Sequence, residues 1–290
     1  MASIRDIKLR IASTRNIEHI TKAMKMVAAA RLKKAQARLE AARPYARKMA
    51  EVTLDLAALT PWSFNVLLRP HHQLNRVLVV VFTGDKGLAG GFHNNIADKA
   101  MEFGDGLKSH QVSYYVIGRK GYQRFIQRGY PVYKRFEQNV AGVSFADAQA
   151  MAEELIANYI DEKFDVIYLF YAKFYSAMNQ KPRPFQLLPI DPTQAHRKEE
   201  SGLFIFEPGR RQVLNGILPR YIESEIFRAF LETEAGELGS RMSAMSAAAD
   251  NAAEIIAEYQ LEYNRLRQAK ITKEITEIIS GAEALTSDTE

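Results

Sequence analysis

Two helical patterns at opposite ends of the chain constrain its fold most. Near the N-terminus, apolar or small residues recur at alternating steps of four and three, at Ala28, Leu32, Ala35, Leu39, Ala42, Ala46, Met49, Thr53 and Leu56. Near the C-terminus, the same steps connect Leu238, Met242, Met245, Ala249, Ala252, Ile256, Tyr259, Tyr263 and Leu266. This 3.5-residue repeat is typical of a coiled-coil seam. Because neither helix can bury such a stripe alone, the sequence predicts one long antiparallel coiled coil, with helices roughly 80 and 105 Å long.

Four features modify this pattern. The N-terminal stripe continues upstream with one extra three-residue step, which predicts a local change of winding, through Ile4, Ile7, Ile11, Thr14, Ile17, Ile20, Met24 and Val27. Pro44 should bend the first helix without ending it. In the second helix, Pro219 predicts an N-terminal turn or a bend, and Gly281 predicts a C-terminal stop.

The middle of the chain has a different pattern. Short apolar runs at 76–82, 112–117 and 166–171 predict buried parallel strands. They alternate with helical patterns near 93–108, 119–128 and 144–163, the last with Ser144 as a candidate N-cap. Strand and helix alternation predicts a doubly wound, Rossmann-like α/β domain. Segments 184–190 and 203–206 should add edge strands, because prolines confine that region to edges and turns.

The fold class predicted is therefore α/β, with a central domain between two coiled-coil helices. The expected division is an N-terminal helix over 1–57, a linker over 58–74, the α/β domain over 75–207, and a C-terminal helix over 208–290. No apolar run reaches the ~18 residues of a membrane span, so no direct membrane insertion is expected. The N-terminus lacks a signal-peptide pattern and is interpreted as mature protein.

Charge is distributed unevenly along the chain. The first 48 residues contain thirteen Lys or Arg and three acidic residues, although the whole chain carries only +5. Such a basic helix indicates a nucleic acid, an anionic membrane surface or an acidic protein partner. The chain contains no cysteine, so disulfide and thiol chemistry are excluded.

No motif indicates a catalytic or metal site. The loop over 83–95 follows a strand and opens a helix, but its glycines match neither dinucleotide nor P-loop spacing. It is interpreted as a close-packing turn, with a partner-facing loop or a nucleotide site as alternatives. The histidines lack ligand spacing, and His71-His72 is expected to be solvated. Adjacent acids at 153–154 and 199–200 should point apart on a solvated face.

The C-terminal stretch 263–279 predicts a mixed helical face. Arg267, Lys270, Ile271 and Glu274 fall at i, i+3, i+4 and i+7, and Lys270 and Glu274 form an i,i+4 pair. From this pattern alone, a soluble helix with salt bridges is the plain interpretation.

Four stretches together resemble the γ subunit of the F-type ATP synthase. They are "ITKAMKMVAAARLKKAQ" from Ile20, "GDKGLAGGFHNN" from Gly84, "RMSAMSAAADNA" from Arg241 and "YNRLRQAKITKEITEIISGAEA" from Tyr263. The resemblance spans essentially the whole chain, and the two terminal motifs are the most specific. It implies the central rotor shaft of the F1 sector, which couples ion flow to ATP synthesis or hydrolysis at β-subunit sites.

The resemblance also implies partners and contact residues. The partners would be α and β subunits, with one copy of this chain per ring, together with the ε subunit and the c-ring. Contacts to the ring are expected at Met24, Lys25, Arg241, Met242, Arg267, Gln268, Thr272 and Glu274. Arg267 and Gln268 are the first candidates for bonds to a β-subunit loop. The chain would be a non-catalytic subunit without cofactors, at the cytoplasmic face of a bacterial plasma membrane.

Two rival functions remain at this stage. A basic coiled-coil protein that binds nucleic acid is the main alternative, although residues 1–44 contain no Phe, Tyr or Trp for base stacking. A nucleotide-dependent enzyme built on the α/β domain is the second alternative.

Overall fold

The computed structural model describes residues 3–71, 75–137, 140, 142–191, 193, 206–207 and 209–287, with side chains to 280. Two compact units are present, one formed by residues 1–27 and 244–290, the other by 28–243. Each unit therefore draws on both ends of the chain. The expected division into four consecutive segments stays a prediction.

Helix α1 spans Ile4–Ala58 and helix α5 spans Arg210–Ser287. A reciprocal pair begins α1: the Ser3 N–H donates to Asp6 Oδ2 at 3.1 Å, and the Asp6 N–H donates to Ser3 Oγ at 3.2 Å. Helix α1 continues through Pro44, as predicted. Helix α5 contains Pro219 and Gly281, so the predicted stop at Gly281 is wrong. One helical glycine costs only about 1 kcal/mol, which neighbouring helix formers outweigh.

Within each unit, α1 and α5 pair in antiparallel orientation. In the larger unit, Leu32, Ala35 and Leu39 pack with Leu231, Ala235 and Leu238 in one buried cluster. In the smaller unit, the Lys8 ammonium lies 5.4 Å from the Tyr263 ring centroid, and the Arg10 guanidinium lies 6.0 Å from that of Tyr259. Also in the larger unit, Leu54 and Leu56 of α1 share a buried cluster with Leu218 and Ile222 of α5. Within each unit, later residues of α1 therefore lie beside earlier residues of α5, and the predicted antiparallel pairing is confirmed there.

The upstream part of the α1 stripe differs from the prediction. Ile17, Ile20 and Val27 are 51%, 59% and 52% exposed, whereas Thr21 is buried and Glu18 half-buried. Glu18 and Thr21 therefore take the inward-facing positions that were expected for Ile17 and Ile20, so the predicted frame of the stripe is wrong here. The predicted change of winding stays a prediction. Thr21 tolerates burial because its hydroxyl donates to the Ile17 carbonyl at 2.9 Å.

The larger unit also contains a five-stranded sheet. Its strands are β1 Arg76–Phe82, β2 Gln111–Ile117, β3 Val132–Phe136, β4 Val166–Ser176 and β5 Asn179–Leu188. Their order is β3-β2-β1-β4-β5; all neighbours are parallel except the antiparallel pair β4–β5. The sequence did not predict β3, because its central residues are exposed and polar. The predicted strand at 184–190 corresponds to the end of β5, and most of 203–206 lies outside the described residues.

Helices cover both faces of this sheet. The remaining α-helices of the described residues are α2 Phe92–Gly106, α3 Arg119–Gln127 and α4 Phe145–Ile160, and short 3-10 helices span Trp62–Phe64 and Val66–Leu68. Ser144 caps α4 in a capping box with Asp147. Val79 packs on α2 and α3, and Val80 on α4 and the sheet-side ends of α1 and α5. A parallel sheet buried on both faces is the doubly wound arrangement, so the predicted fold class is confirmed.

Asp165 anchors the N-terminal end of β1. Its carboxylate accepts bonds from the N–H groups of Asn75 and Arg76, from the Arg76 guanidinium at 2.9 Å, and from His71 Nδ1 at 3.1 Å. The His71 ring stacks on Tyr159 with centroids 4.4 Å apart and is buried. The prediction that His71 is solvated is therefore wrong, because the ring finds both a carboxylate and an aromatic face. His72 lies outside the described residues.

We expect Asp165→Asn to destabilise the isolated chain by about 2 kcal/mol at neutral pH, because charge-assisted hydrogen bonds to the buried carboxylate are weakened. Burial alone would raise the pKa of Asp165, but the bonds from Arg76, His71 and Asn75 outweigh it and hold the pKa well below its usual value. The stabilisation is thus complete above the unfolded carboxyl pKa of about 3.9 and is lost as the pH falls further. Thermal unfolding at several pH values measures this difference. Asp161→Asn, an exposed aspartate nearby, is the control; equal unfolding temperatures for the two variants would contradict the anchor.

Candidate functional site

The loop between β1 and α2, residues 83–91, is held by bonds within the chain; we call it the glycine loop. The Gly84 N–H donates to His93 Nδ1 at 3.2 Å, and His93 Nε2 lies 2.9 Å from the Lys86 carbonyl oxygen. These partners require a neutral imidazole with its proton on Nε2. The Gly84 N–H is thus already used, which favours the predicted packing turn over a phosphate site.

Arg241 reaches the same loop from helix α5. Its Nε donates to the Gly87 carbonyl at 3.2 Å, and its Nη2 donates to the carbonyls of Lys86 and Gly87 at 3.1 and 3.2 Å. The guanidinium also pairs with Glu237 one helical turn away. Met242 packs beside the cluster that contains Leu238. Both Arg241 and Met242, predicted as ring contacts, therefore have partners inside the chain.

A basic cleft of about 240 Å³ opens beside this loop. Its charged lining comprises Arg31, Lys34, Arg38, Lys86, Arg241, Asp85, Glu234 and Glu237. Arg38 pairs with Glu234 at 3.0 Å, and Arg241 pairs with Glu237. Arg31 and Lys34 are exposed, so the cleft carries an excess of positive charge. Such a surface is complementary to an acidic partner.

The N-terminal contact segment presents mixed chemistry. Met24 is half-buried on the coiled-coil side, and Lys25 is exposed. Their neighbours Ile20 and Met26 are exposed at 59% and 67%. This part of α1 therefore offers both apolar and basic groups to a partner.

The C-terminal segment of α5 is exposed on all sides. Every side chain from 267 to 280 is exposed, including Arg267, Gln268, Thr272 and Glu274. The predicted pair of Lys270 with Glu274 is present at 3.5 Å. Four isoleucines, at 271, 275, 278 and 279, are also exposed. Apolar side chains concentrated on one exposed helix indicate a binding surface.

The predicted contact residues fall into both units. Six of them, Met24, Lys25, Arg267, Gln268, Thr272 and Glu274, belong to the smaller unit, and Arg241 and Met242 belong to the larger one. Among the residues with a described structure, no cluster of His, Asp and Glu is arranged to hold a metal ion. None of the helices in that part of the chain combines the length and the apolar character that crossing a bilayer requires.

Comparison with known proteins identifies the family. The sequence model of a family described as ATP synthase matches residues 3–285. The ATP synthase gamma chain of Geobacter metallireducens is 42% identical over 287 residues, covering 98% of this chain and 99% of the relative. That of Halothermothrix orenii is 41% identical, with 98% and 100% covered. The chain belongs to the ATP synthase γ-chain family.

Solved structures agree with this assignment. A chain from the central stalk and c-ring structure of the Tetrahymena thermophila mitochondrial ATP synthase is 26% identical, with a TM-score of 0.59. It covers 79% of this chain and 99% of its own length. A chain from the Euglena gracilis mitochondrial enzyme, at 17% identity, shares the fold with a TM-score of 0.69 over 99% and 96% of the two chains.

The predicted function is thereby confirmed: this γ-family chain is a central-stalk subunit of ATP synthase, and it couples ion flow to the synthesis or hydrolysis of ATP. The nucleic-acid alternative gains no support from these relatives. Sequence reasoning did not identify the roles of His93 and Glu237 beside the glycine loop. The i,i+4 spacing of Glu237 and Arg241 was the available signal for one of these contacts.

We expect the stability of the glycine loop to depend on the protonation of His93. Burial lowers the pKa of His93, and the nearby Glu237 only partly opposes this. The neutral ring therefore stabilises the fold above the unfolded pKa of about 6.5, and this contribution is lost as the pH falls through the lower folded value.

His93→Gln tests this dependence, because an amide can accept from Gly84 and donate to Lys86 without titrating. Its unfolding temperature should be close to that of the unmodified chain at about pH 8 and should fall less on acidification below about 6.5. His19→Gln, at an exposed position of α1, controls for loss of an unrelated imidazole. Parallel pH profiles for His93→Gln and the unmodified chain would refute the neutral ring's role.

Proposed function

We propose that this chain is the shaft of the rotor, standing as a single copy inside a ring of α and β subunits and carrying no catalytic site of its own. The observation that supports this best is the exposed end of α5 over 267–280. Its isoleucines, unburied within the described part of the chain, suit an apolar bearing formed by the surrounding ring. The wholly exposed helical end can be contacted from several directions.

Coupling would result from differences in the affinity of the shaft for different conformations of the catalytic subunits. A shaft can change the conformations of surrounding catalytic subunits only when its faces bind those conformations unequally. Helix α1 offers such asymmetry, because exposed Ile17, Ile20 and Val27 lie on a different side from buried Thr21. Each orientation of the shaft therefore presents a different surface to a given β subunit.

Charged contacts would allow this surface to turn. Exposed cations such as Lys25, Arg31 and Lys34 can attract acidic loops of the ring over several ångströms. Electrostatic attraction changes gradually with angle, whereas interdigitated apolar side chains would have to separate before each step. The basic cleft and α1 thus favour a partner ring with acidic loops.

Specific contacts are proposed at the residues expected from the sequence. Arg267 and Gln268, both exposed, are the first candidates for hydrogen bonds to a β-subunit loop. Met24 and Lys25 would contact the ring from α1. Thr272 and Glu274 would contact the ring farther along α5. Arg241 and Met242 already have partners inside the chain, so only their remaining exposed surface is available for such contacts.

The α/β part of the larger unit, which consists of the sheet and helices α2 to α4, would face the membrane sector. We propose that it contacts the ε subunit and the c-ring, and that the complex lies at the cytoplasmic face of a bacterial plasma membrane. The family assignment and the c-ring structure of a relative support this arrangement. In that position the chain needs no membrane span of its own.

Reconstitution tests the shaft directly. We expect a complex assembled with α and β subunits to contain one copy of this chain per ring and to hydrolyse ATP faster and more cooperatively than α and β alone. Native mass spectrometry gives the stoichiometry, and a coupled assay gives the rate. The isolated chain should hydrolyse no ATP, and a ring whose activity is unchanged by the chain would reject the proposal.

The second test concerns the β-subunit contact. We expect Arg267→Ala combined with Gln268→Ala to lower ATP-driven ion pumping per ATP hydrolysed, because charge-assisted hydrogen bonds to the ring are lost. Arg265→Ala, an exposed arginine on another side of the same turn, is the matched control. The isolated double variant should unfold at the same temperature as the unmodified chain, and a large decrease would show a structural role instead.

A further inference from the structure

The α5 segment from 236 to 241 lies unusually close to the α/β part of the larger unit. A Cβ atom on Gly236 would lie 2.8 Å from Phe92 Cε2, and one on Gly239 would lie 3.0 Å from the Ala177 backbone. The Ser240 hydroxyl is 2.9 Å from Gln180 Oε1 of β5. Two glycines thus allow the helix to approach both α2 and the β4–β5 hairpin.

The segment ends at Arg241, whose bonds are directed at one short turn. The Lys86 carbonyl accepts from both His93 Nε2 and Arg241 Nη2, and the adjacent Gly87 carbonyl accepts from Nε and Nη2 of Arg241. Side chains of Arg241 and Glu237 are each only 12% exposed. The guanidinium and the carboxylate are therefore mostly buried, whereas the Lys86 carbonyl lies at the exposed edge of the contact. Charge-assisted hydrogen bonds of this kind are stronger than neutral ones.

We propose that Arg241, Glu237 and His93 form a clasp that fixes the glycine loop of the α/β part to helix α5, and that the clasp is a positioning device for rotary coupling. The proposal rests on the proposed rotor function. Arg241 is the positioning residue: it acts through the carbonyls of Lys86 and Gly87 rather than on any reacting group.

The chemistry of the clasp distinguishes it from the rest of this contact. Packing among Phe174, Leu231 and Ala235 is apolar and resists separation, but it has little directional preference. Hydrogen bonds from a planar guanidinium to two carbonyls fix both distance and angle. Elsewhere in the contact α5 also makes directional bonds, since Glu232 accepts from the Phe174 N–H at 3.0 Å. Among the described residues, however, the hydrogen bonds from α5 to the glycine loop itself all come from Arg241.

Within the clasp, Glu237 orients the Arg241 guanidinium, and His93 orients the glycine loop that Arg241 binds. Glu237 pairs with the guanidinium, and a Cβ atom on Gly84 would lie 2.0 Å from Glu237 Oε2 and 2.9 Å from His93 Cε1. Gly84 is thus the position at which the loop, the histidine and the carboxylate meet. Among charged groups that influence His93, Arg241 and Lys120 oppose its protonation and Glu237 favours it.

Three substitutions separate positioning from stability. Arg241→Ala removes the clasp; Arg241→Lys keeps the charge beside Glu237 but cannot donate to two carbonyls as a planar fork. Gly84→Ala disturbs the same cluster from the loop side, because its methyl group displaces Glu237. Arg220→Ala is the matched control, since Arg220 also pairs within α5, with Glu223 at 2.8 Å, and donates no described bond to the loop.

Each variant is measured as the isolated chain and in the complete membrane complex. In the isolated chain, hydrogen exchange of the Gly84 amide should rise roughly tenfold in Arg241→Ala, because charge-assisted bonds that hold the loop are lost. In vesicles, ATP-driven pumping, followed with proton- and sodium-sensitive dyes, should fall per ATP hydrolysed. Arg241→Lys should keep its unfolding temperature yet lose part of the pumping. Arg220→Ala leaves the buried Glu223 without this partner, so it should lower the unfolding temperature but leave the Gly84 exchange and the pumping per ATP unchanged.

Two outcomes would overturn the clasp. One is full pumping by Arg241→Ala and Gly84→Ala in a complex that pumps normally with the unmodified chain. The other is pumping that follows unfolding temperature alone across the series, which would make Arg241 a structural residue. If the unmodified chain itself does not support pumping, the rotor function fails instead, so the two failures are distinguishable.

Discussion

Burial of two long apolar stripes is the constraint on which the rest of this structure depends. A helix of 55 or 78 residues with a narrow seam cannot be covered by an ordinary globular core, so each seam requires another of similar length. Antiparallel pairing brings the end of α1 and the start of α5 to the same place. There Leu54 and Leu56 of α1, with Leu218 and Ile222 of α5, become part of the core beneath the sheet. The α/β part is therefore built onto the helices rather than joined to them by a flexible linker.

The contact with α5 also determines which groups fill the end of β1. The end of β1, where doubly wound proteins commonly bind nucleotides, is occupied by the chain's own groups. His93 takes the Gly84 N–H, and Arg241 takes the carbonyls of Lys86 and Gly87. A position that serves ligand binding in other folds here serves contact with α5. The same type of fold can therefore bind a ligand in one protein and a helix in another, depending on the local groups of this one loop.

Periodicity made the fold predictable, and chemistry at single positions limited the prediction. The 3.5-residue seams and the strand β1 follow from residue spacing. Residue spacing did not predict which side of α1 is buried near Ile17. Hydrophobicity favours burial of isoleucine, but Thr21 is buried instead because its hydroxyl donates to a carbonyl of the same helix. Burial of His71 depends on Asp165, ninety-four positions away. Contact residues at the exposed end of α5 were predicted through family motifs, since no local pattern distinguishes Arg267 from any other exposed arginine.

The exposed end of α5 extends this argument beyond the chain itself. Isolated helices are only marginally stable in water, and pairs such as Lys270–Glu274 and Lys273–Glu277 contribute about 0.3–0.5 kcal/mol each. Those pairs are too weak to replace the stabilisation that burial of Ile271, Ile275 and Ile278 would provide. A helix with these properties gains its largest stabilisation when an external surface covers its isoleucines. At this end of α5 the isoleucines are therefore left for another protein to cover, as proposed for the shaft inside its ring.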